Sequence, residues 1–105
     1  MIVKHTSFAA KFRPFLLTIL VLAGCGVAPV QEMSDARQAL QAARAAGAAE
    51  RSPTALSQAE NLLEQAQKAL ELGEYGRARE SAVAAKRAAV DARKRALKEA
   101  AERPK

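Results

Sequence analysis

Chemistry-bearing side chains are almost missing from this chain of 105 residues, which has one His, no Trp, one Tyr and three Phe. Cysteine occurs once, as Cys25, so no disulfide can close within the chain. Five Gly and four Pro leave few points at which a helix must stop. Strand formers are scarce as well. Beyond residue 25 there is no Ile, few Val and no run of alternating apolar and polar residues, so a sheet is not expected. His5, Phe8, Phe12 and Phe15 all fall within the first 24 residues. The chain beyond Cys25 therefore lacks the usual general bases, nucleophile activators and soft metal ligands. No catalytic residue, metal or cofactor is expected, and an enzyme is the weakest functional class. The acid pairs Glu60/Glu64 and Glu71/Glu74 have helical spacing, but so small a core offers no pocket to perturb them.

The apolar run Phe15-Leu16-Leu17-Thr18-Ile19-Leu20-Val21 comes after a basic head carrying Lys4, Lys11 and Arg13. A positive head, a short apolar core and small residues before a cut make the layout of a secretory signal. The core is shorter than the roughly 20 residues a membrane span needs. The next four residues, Leu22-Ala23-Gly24-Cys25, resemble the lipobox of bacterial lipoprotein signal peptides, in which the Cys receives the lipid. That resemblance implies cleavage before Cys25 and a thioether to diacylglycerol, which would account for the lone thiol. Such lipoproteins carry three acyl chains in Gram-negative species, and two or more chains anchor a protein stably. Gly26 stands where the family uses Asp for inner-membrane retention, so the resemblance points to the outer membrane, facing the periplasm. The expected organisation is a signal peptide over 1–24, a lipidated tether over 25–32 and an alanine-rich helical domain over 33–103.

Removing the leader changes the electrostatics. The whole chain has 17 basic and 11 acidic side chains, a net +6. Without Lys4, Lys11 and Arg13 the remaining 81 residues carry 14 basic against 11 acidic, a net +3. The charge is uneven: residues 26–76 hold four basic and seven acidic side chains, and residues 77–105 hold ten and four. Arg93, Lys94, Arg95 and Lys98 form the densest cluster and are the candidate anion-binding residues. Ordinarily such a run is a solvated helix face whose cations favour the C-terminal end of the dipole. The functional alternative is attraction to a polyanion: lipopolysaccharide phosphates, anionic headgroups or peptidoglycan carboxylates. Nucleic acid is not an expected partner, because no aromatic stacking platform remains beyond Tyr75.

Pro29 is expected to block helix within the tether, and beyond it the chain is rich in Ala, Glu, Gln, Arg, Lys and Leu, the strongest helix formers. A first helix is expected from Ser34 as N-cap, with Met33, Ala36, Leu40, Ala43 and Gly47 inward, fading toward Arg51. Ser52-Pro53 is a second start signal, with Ser as N-cap and Pro at the first helical position. That helix carries Leu56, Ala59, Leu63, Ala66 and Leu70 inward, with Leu62 alongside, and stops at Gly73, where a left-handed cap is available. The short Gly73-Glu74-Tyr75-Gly76 link requires the next helix to fold back antiparallel. The third helix places Tyr75, Ala78, Ala82, Ala85, Ala89, Ala92 and Ala96 three and four residues apart, with the Tyr75 ring sealing the hairpin corner. It runs until Pro104, with Val83, Val90 and Leu97 as a flanking row. A mean period of 3.5 marks coiled-coil-like packing. The expected fold is all-α: an antiparallel helical hairpin extended to a small three-helix bundle. Small seams bury little, so self-association or an envelope protein partner is expected to add stability.

The segments Met33-Ser34-Asp35-Ala36-Arg37-Gln38-Ala39-Leu40-Gln41-Ala42-Ala43, Leu56-Ser57-Gln58-Ala59-Glu60 and Leu70-Glu71-Leu72-Gly73-Glu74-Tyr75 resemble the alanine-rich bacterial lipoproteins grouped as domain of unknown function 4398. The likeness spans roughly residues 30–100 and implies an envelope location without an established activity. The helix–Gly-acid-Tyr–helix core also resembles one tetratricopeptide-repeat hairpin, although stacks of that kind need about three units. Lys105 resembles the ending of the major peptidoglycan-linked outer-membrane lipoproteins, in the last residue and the anchor only. The expected function is a non-enzymatic, lipid-anchored outer-membrane lipoprotein presenting helices for protein–protein contact or envelope structure. The alternative is peptidoglycan or lipopolysaccharide binding through the basic third helix.

Overall fold

The computed structural model describes residues 27–103. Among them lie four helices and no strand: α1 (Val30–Ala45), α2 (Ala48–Arg51), α3 (Pro53–Glu71) and α4 (Tyr75–Glu102). The chain adopts the all-α class that its composition calls for. α4 is the long central element, packing against both α3 and α1, which touch each other less. Glu32, near the start of α1, pairs with Arg79, near the start of α4, at 3.5 Å. Arg44, at the end of α1, pairs at 2.7 Å with Glu60 in the first half of α3. α1 therefore runs in the same direction as α4 and opposite to α3.

The interior is an alanine seam. Ala78, Ala82, Ala85, Ala89, Ala92 and Ala96 of α4 are all completely buried. Tyr75, expected to head the same stripe, is instead exposed, because it lies at the first residue of α4, beyond the cover of the neighbouring helices. Alternating steps of four and three keep one stripe of a helix facing its neighbours, and methyl groups let backbones approach closely. Larger apolar residues fill in from the other helices. Leu40 and Leu56 pack with Ala43, Ala89, Ala92 and Ala96 in one cluster. Met33, Ala66 and Ala82 form a second.

Three local details differ from the sequence expectations. α1 begins at Val30, four residues before the expected Ser34 cap, so residues 30–32 are helical and not part of a tether. Pro29 stands at the N-cap with φ −78°, and its carbonyl accepts from the Met33 N–H at 3.0 Å. A proline ahead of the first turn gives up only a donor that has no helical partner there, so it starts this helix and does not block it. The Ser34 hydroxyl instead accepts from the Gln38 amide at 3.4 Å.

At Gly47 the backbone turns left-handed, φ +86°, and divides the expected first helix into α1 and the single turn α2. The Gly47 carbonyl accepts from Glu50 N–H at 3.2 Å and Arg51 N–H at 2.9 Å. Ala48, not Gly47, is the fully buried residue of this stretch. On α3, Ala69 is buried while Leu63 and Leu70 are half-buried against the clusters. Ala69 and Leu70 lie three and four residues after the buried Ala66 and so flank the seam on either side, where the methyl of Ala69 is covered fully and the longer Leu70 only in part.

The hairpin turn forms as expected. α3 ends with Gly73 at φ +76°; Gly73 N–H donates to Leu70 O at 3.0 Å and Glu74 N–H to Ala69 O at 2.9 Å. This pair of bonds is the Schellman arrangement, which satisfies carbonyls that the helix end would leave open. α4 then runs the 28 residues that the spacing to Pro104 requires, about 42 Å at 1.5 Å per residue.

Candidate functional site

Leu22, Ala23, Gly24 and Cys25 lie outside the described residues, as do Pro104 and Lys105. The described chain begins at Val27, and a contact of that residue shows which end of the bundle it belongs to. The Arg79 guanidinium donates to the Val27 carbonyl at 3.3 Å while also facing Glu32. The residues entering α1 are thus tied to the start of α4, beside the hairpin turn.

The four candidate cations, Arg93, Lys94, Arg95 and Lys98, are all exposed on the last third of α4. They do not form one cluster. Arg95 holds Asp91 at 2.7 Å and turns toward the α2–α3 junction, where it shares a depression with Arg51, Ser52 and Glu99. Lys94 lies about a quarter-turn away on the outward surface, lining a shallow depression with Val83, Lys86, Arg87, Val90 and Asp91. Helical spacing adds Arg93, seven residues after Lys86, and Lys98, four after Lys94. The outward face is therefore an apolar row, Val83–Val90–Leu97, bordered by Lys86 and Arg93 on one side and Arg87, Lys94 and Lys98 on the other. None of these five cations forms an ion pair among the described residues, where the pairs involve Arg44, Lys68, Arg77, Arg79, Arg95 and Arg103. Lys86 and Arg87 are site residues that the dense run at 93–98 conceals. A seven-residue reading frame applied to cations as well as to alanines finds them.

Acidic side chains are largely committed to surface pairing. Glu60 meets Arg44, Glu64 meets Lys68 at 3.5 Å, and Glu74 meets Arg77 at 3.2 Å. Exposed pairs of this kind contribute at most about 1 kcal/mol each. Among the described residues, no three His, Cys, Asp or Glu side chains converge as a metal site would require. No helix of the described chain is long and apolar enough to cross a membrane. Comparison with protein-family models, with curated proteins and with solved structures found no match to this chain.

Proposed function

We propose that this chain is a non-enzymatic lipoprotein, cleaved before Cys25, anchored through acyl chains on that residue and displaying its helical bundle from the outer membrane into the periplasm. The Leu22-Ala23-Gly24-Cys25 sequence, placed after a basic head and a short apolar run, carries this reading. The bundle is consistent with it. Helix begins only five residues after Cys25, and the residues beyond Cys25 contain no His, Trp or Phe, as suits a contact module. Such a module works by protein–protein contact or as an envelope spacer. The test is mass spectrometry of the processed protein from a Gram-negative host, which should find a diacylglyceryl-modified Cys25 at the new N-terminus. Cys25→Ser should leave an uncut, unlipidated precursor. An unmodified thiol at Cys25, or an uncut leader in the cytosol, refutes the assignment.

A second reading, binding of an anionic envelope polymer such as peptidoglycan or lipopolysaccharide, draws its support from the outward α4 face. Five cations without ion-pair partners among the described residues make a polyanion footprint. Capture on purified peptidoglycan or lipopolysaccharide should weaken steeply with salt and with Arg87→Glu plus Lys94→Glu. Arg95→Glu, at a cation already paired with Asp91, should matter least. Capture insensitive to both salt and charge reversal refutes this reading.

A further inference from the structure

The large apolar side chains that the bundle leaves exposed are concentrated at one end. Val27 is 53% exposed, Val30 67%, Leu72 73% and Tyr75 39%. All four belong to the end where α1 starts, α3 stops and α4 starts, and the Arg79 contacts with Val27 and Glu32 hold that end together. Two more, Val90 and Leu97, lie on the outward face of α4 among its cations.

Chain length says what covers the apolar end. Cys25 is two residues before Val27, and two residues span at most about 7 Å. The Cys25 backbone thus stays within about 7 Å of Val27, at the end where α3 stops and α4 starts, whereas α4 extends about 42 Å away from that end. We infer that the hairpin end, with Val27, Val30, Leu72 and Tyr75, seats in the interfacial layer of the bilayer holding the anchor, so that α4 projects its basic segment away from that membrane. The inference rests on the anchored reading above and adds an orientation and a contact surface to it.

The chemistry of the end fits an interface. A tyrosine ring is apolar along its body and polar at its hydroxyl, the combination found at headgroup level. Leu72 is the most exposed of the six and sits at the turn beside Gly73, where a Cβ would meet nothing within 4 Å. Glu71 and Glu74 flank the same turn, with Glu74 paired to Arg77. Lys68 and Arg77 line the same depression as Leu72 and are paired with Glu64 and Glu74. Opposite charges balance there, so the contact is apolar and insensitive to salt and to lipid charge. A bundle lying flat behaves oppositely: it presses Val90 and Leu97 down through Lys86, Arg87 and Lys94, and needs anionic lipid to do so.

The experiment uses the processed, lipidated protein with a single environment-sensitive fluorophore on Leu72→Cys or on Val90→Cys, Cys25 being consumed by its lipid. Each is reconstituted into vesicles of phosphatidylcholine alone and of phosphatidylcholine with phosphatidylglycerol, and circular dichroism checks that both variants keep the helical fold. The Leu72 probe should show blue-shifted emission and lose emission to lipid-borne quenchers in both vesicles. It should do so even at 1 M salt, where the screening length is about 3 Å. The Val90 probe should keep the spectrum of water and stay open to iodide. A Leu72 probe in water, or a Val90 probe that moves into lipid only when phosphatidylglycerol is present, overturns the inference. Failure of the anchor is separate and visible first: a protein that floats with neither vesicle refutes lipidation and the orientation with it, whereas one that floats with both and leaves Leu72 wet refutes the orientation alone.

Discussion

Ser52 sits at the junction of α2 and α3, nearly buried, and its hydroxyl donates to the Ala92 carbonyl of α4 at 2.7 Å. Sequence reading places Ser52 correctly as the N-cap of α3, yet the hydroxyl makes no cap bond and reaches across the bundle instead. A short polar side chain beside an alanine seam finds a foreign carbonyl because no bulky neighbour holds the helices apart. Ser52→Ala removes that tie and should lower stability by about 1 kcal/mol, seen as a reduced urea midpoint at unchanged slope. The glycines offer a paired test of backbone conformation. Gly73 has φ +76° and an added Cβ would meet nothing within 4 Å, so Gly73→Ala carries the left-handed penalty alone, about 1 kcal/mol. Gly76 is equally uncrowded but lies within α4, so Gly76→Ala should stabilise by about 0.5 kcal/mol through helix propensity. Thermal melts of the two variants should move in opposite directions.

Among the elements, α4 is the one whose sequence most tightly specifies its role. Its seam positions are completely buried and hold nothing larger than a methyl group. Ala85→Leu would push extra carbons into a space set by backbone approach and should cost about 1–3 kcal/mol or more, despite adding apolar surface. Arg44→Ala, which breaks a half-exposed pair linking α1 and α3, should cost less than about 1 kcal/mol. A midpoint for Ala85→Leu no lower than for Arg44→Ala would refute close packing at the seam. Much of this was legible from spacing. The alanine stripe of α4, the inward set Met33, Ala36, Leu40 and Ala43, and the left-handed turn at Gly73 come from periodicity and turn chemistry. The start of α1 was not legible, because a proline reads as a breaker until the chain shows it one step ahead of the helix. The break at Gly47 was hidden because a glycine on a seam and a glycine ending a helix look the same in sequence. The candidate cations were separable only once α4 had neighbours: then Arg95 turned toward α3 and Lys86 and Arg87 joined Lys94 outside.

For the molecule as a whole, the arrangement of α4 between α1 and α3 makes the domain one cooperative unit. Met33 of α1 is 2% exposed and packs with Ala66 of α3 and Ala82 of α4, so all three long helices meet at that residue. Met33→Ala should lower stability by about 2–5 kcal/mol and keep a single melting transition. A two-step melt, with α1 leaving first, would show instead that the hairpin stands alone. The scarcity of rings also has a use. Tyr75 is the one tyrosine of a chain without tryptophan, so fluorescence excited at the red edge of tyrosine absorption, where phenylalanine does not absorb, comes from a single known place. No indole drains its excited state, and its lifetime and anisotropy become a label-free gauge of what surrounds the hairpin corner.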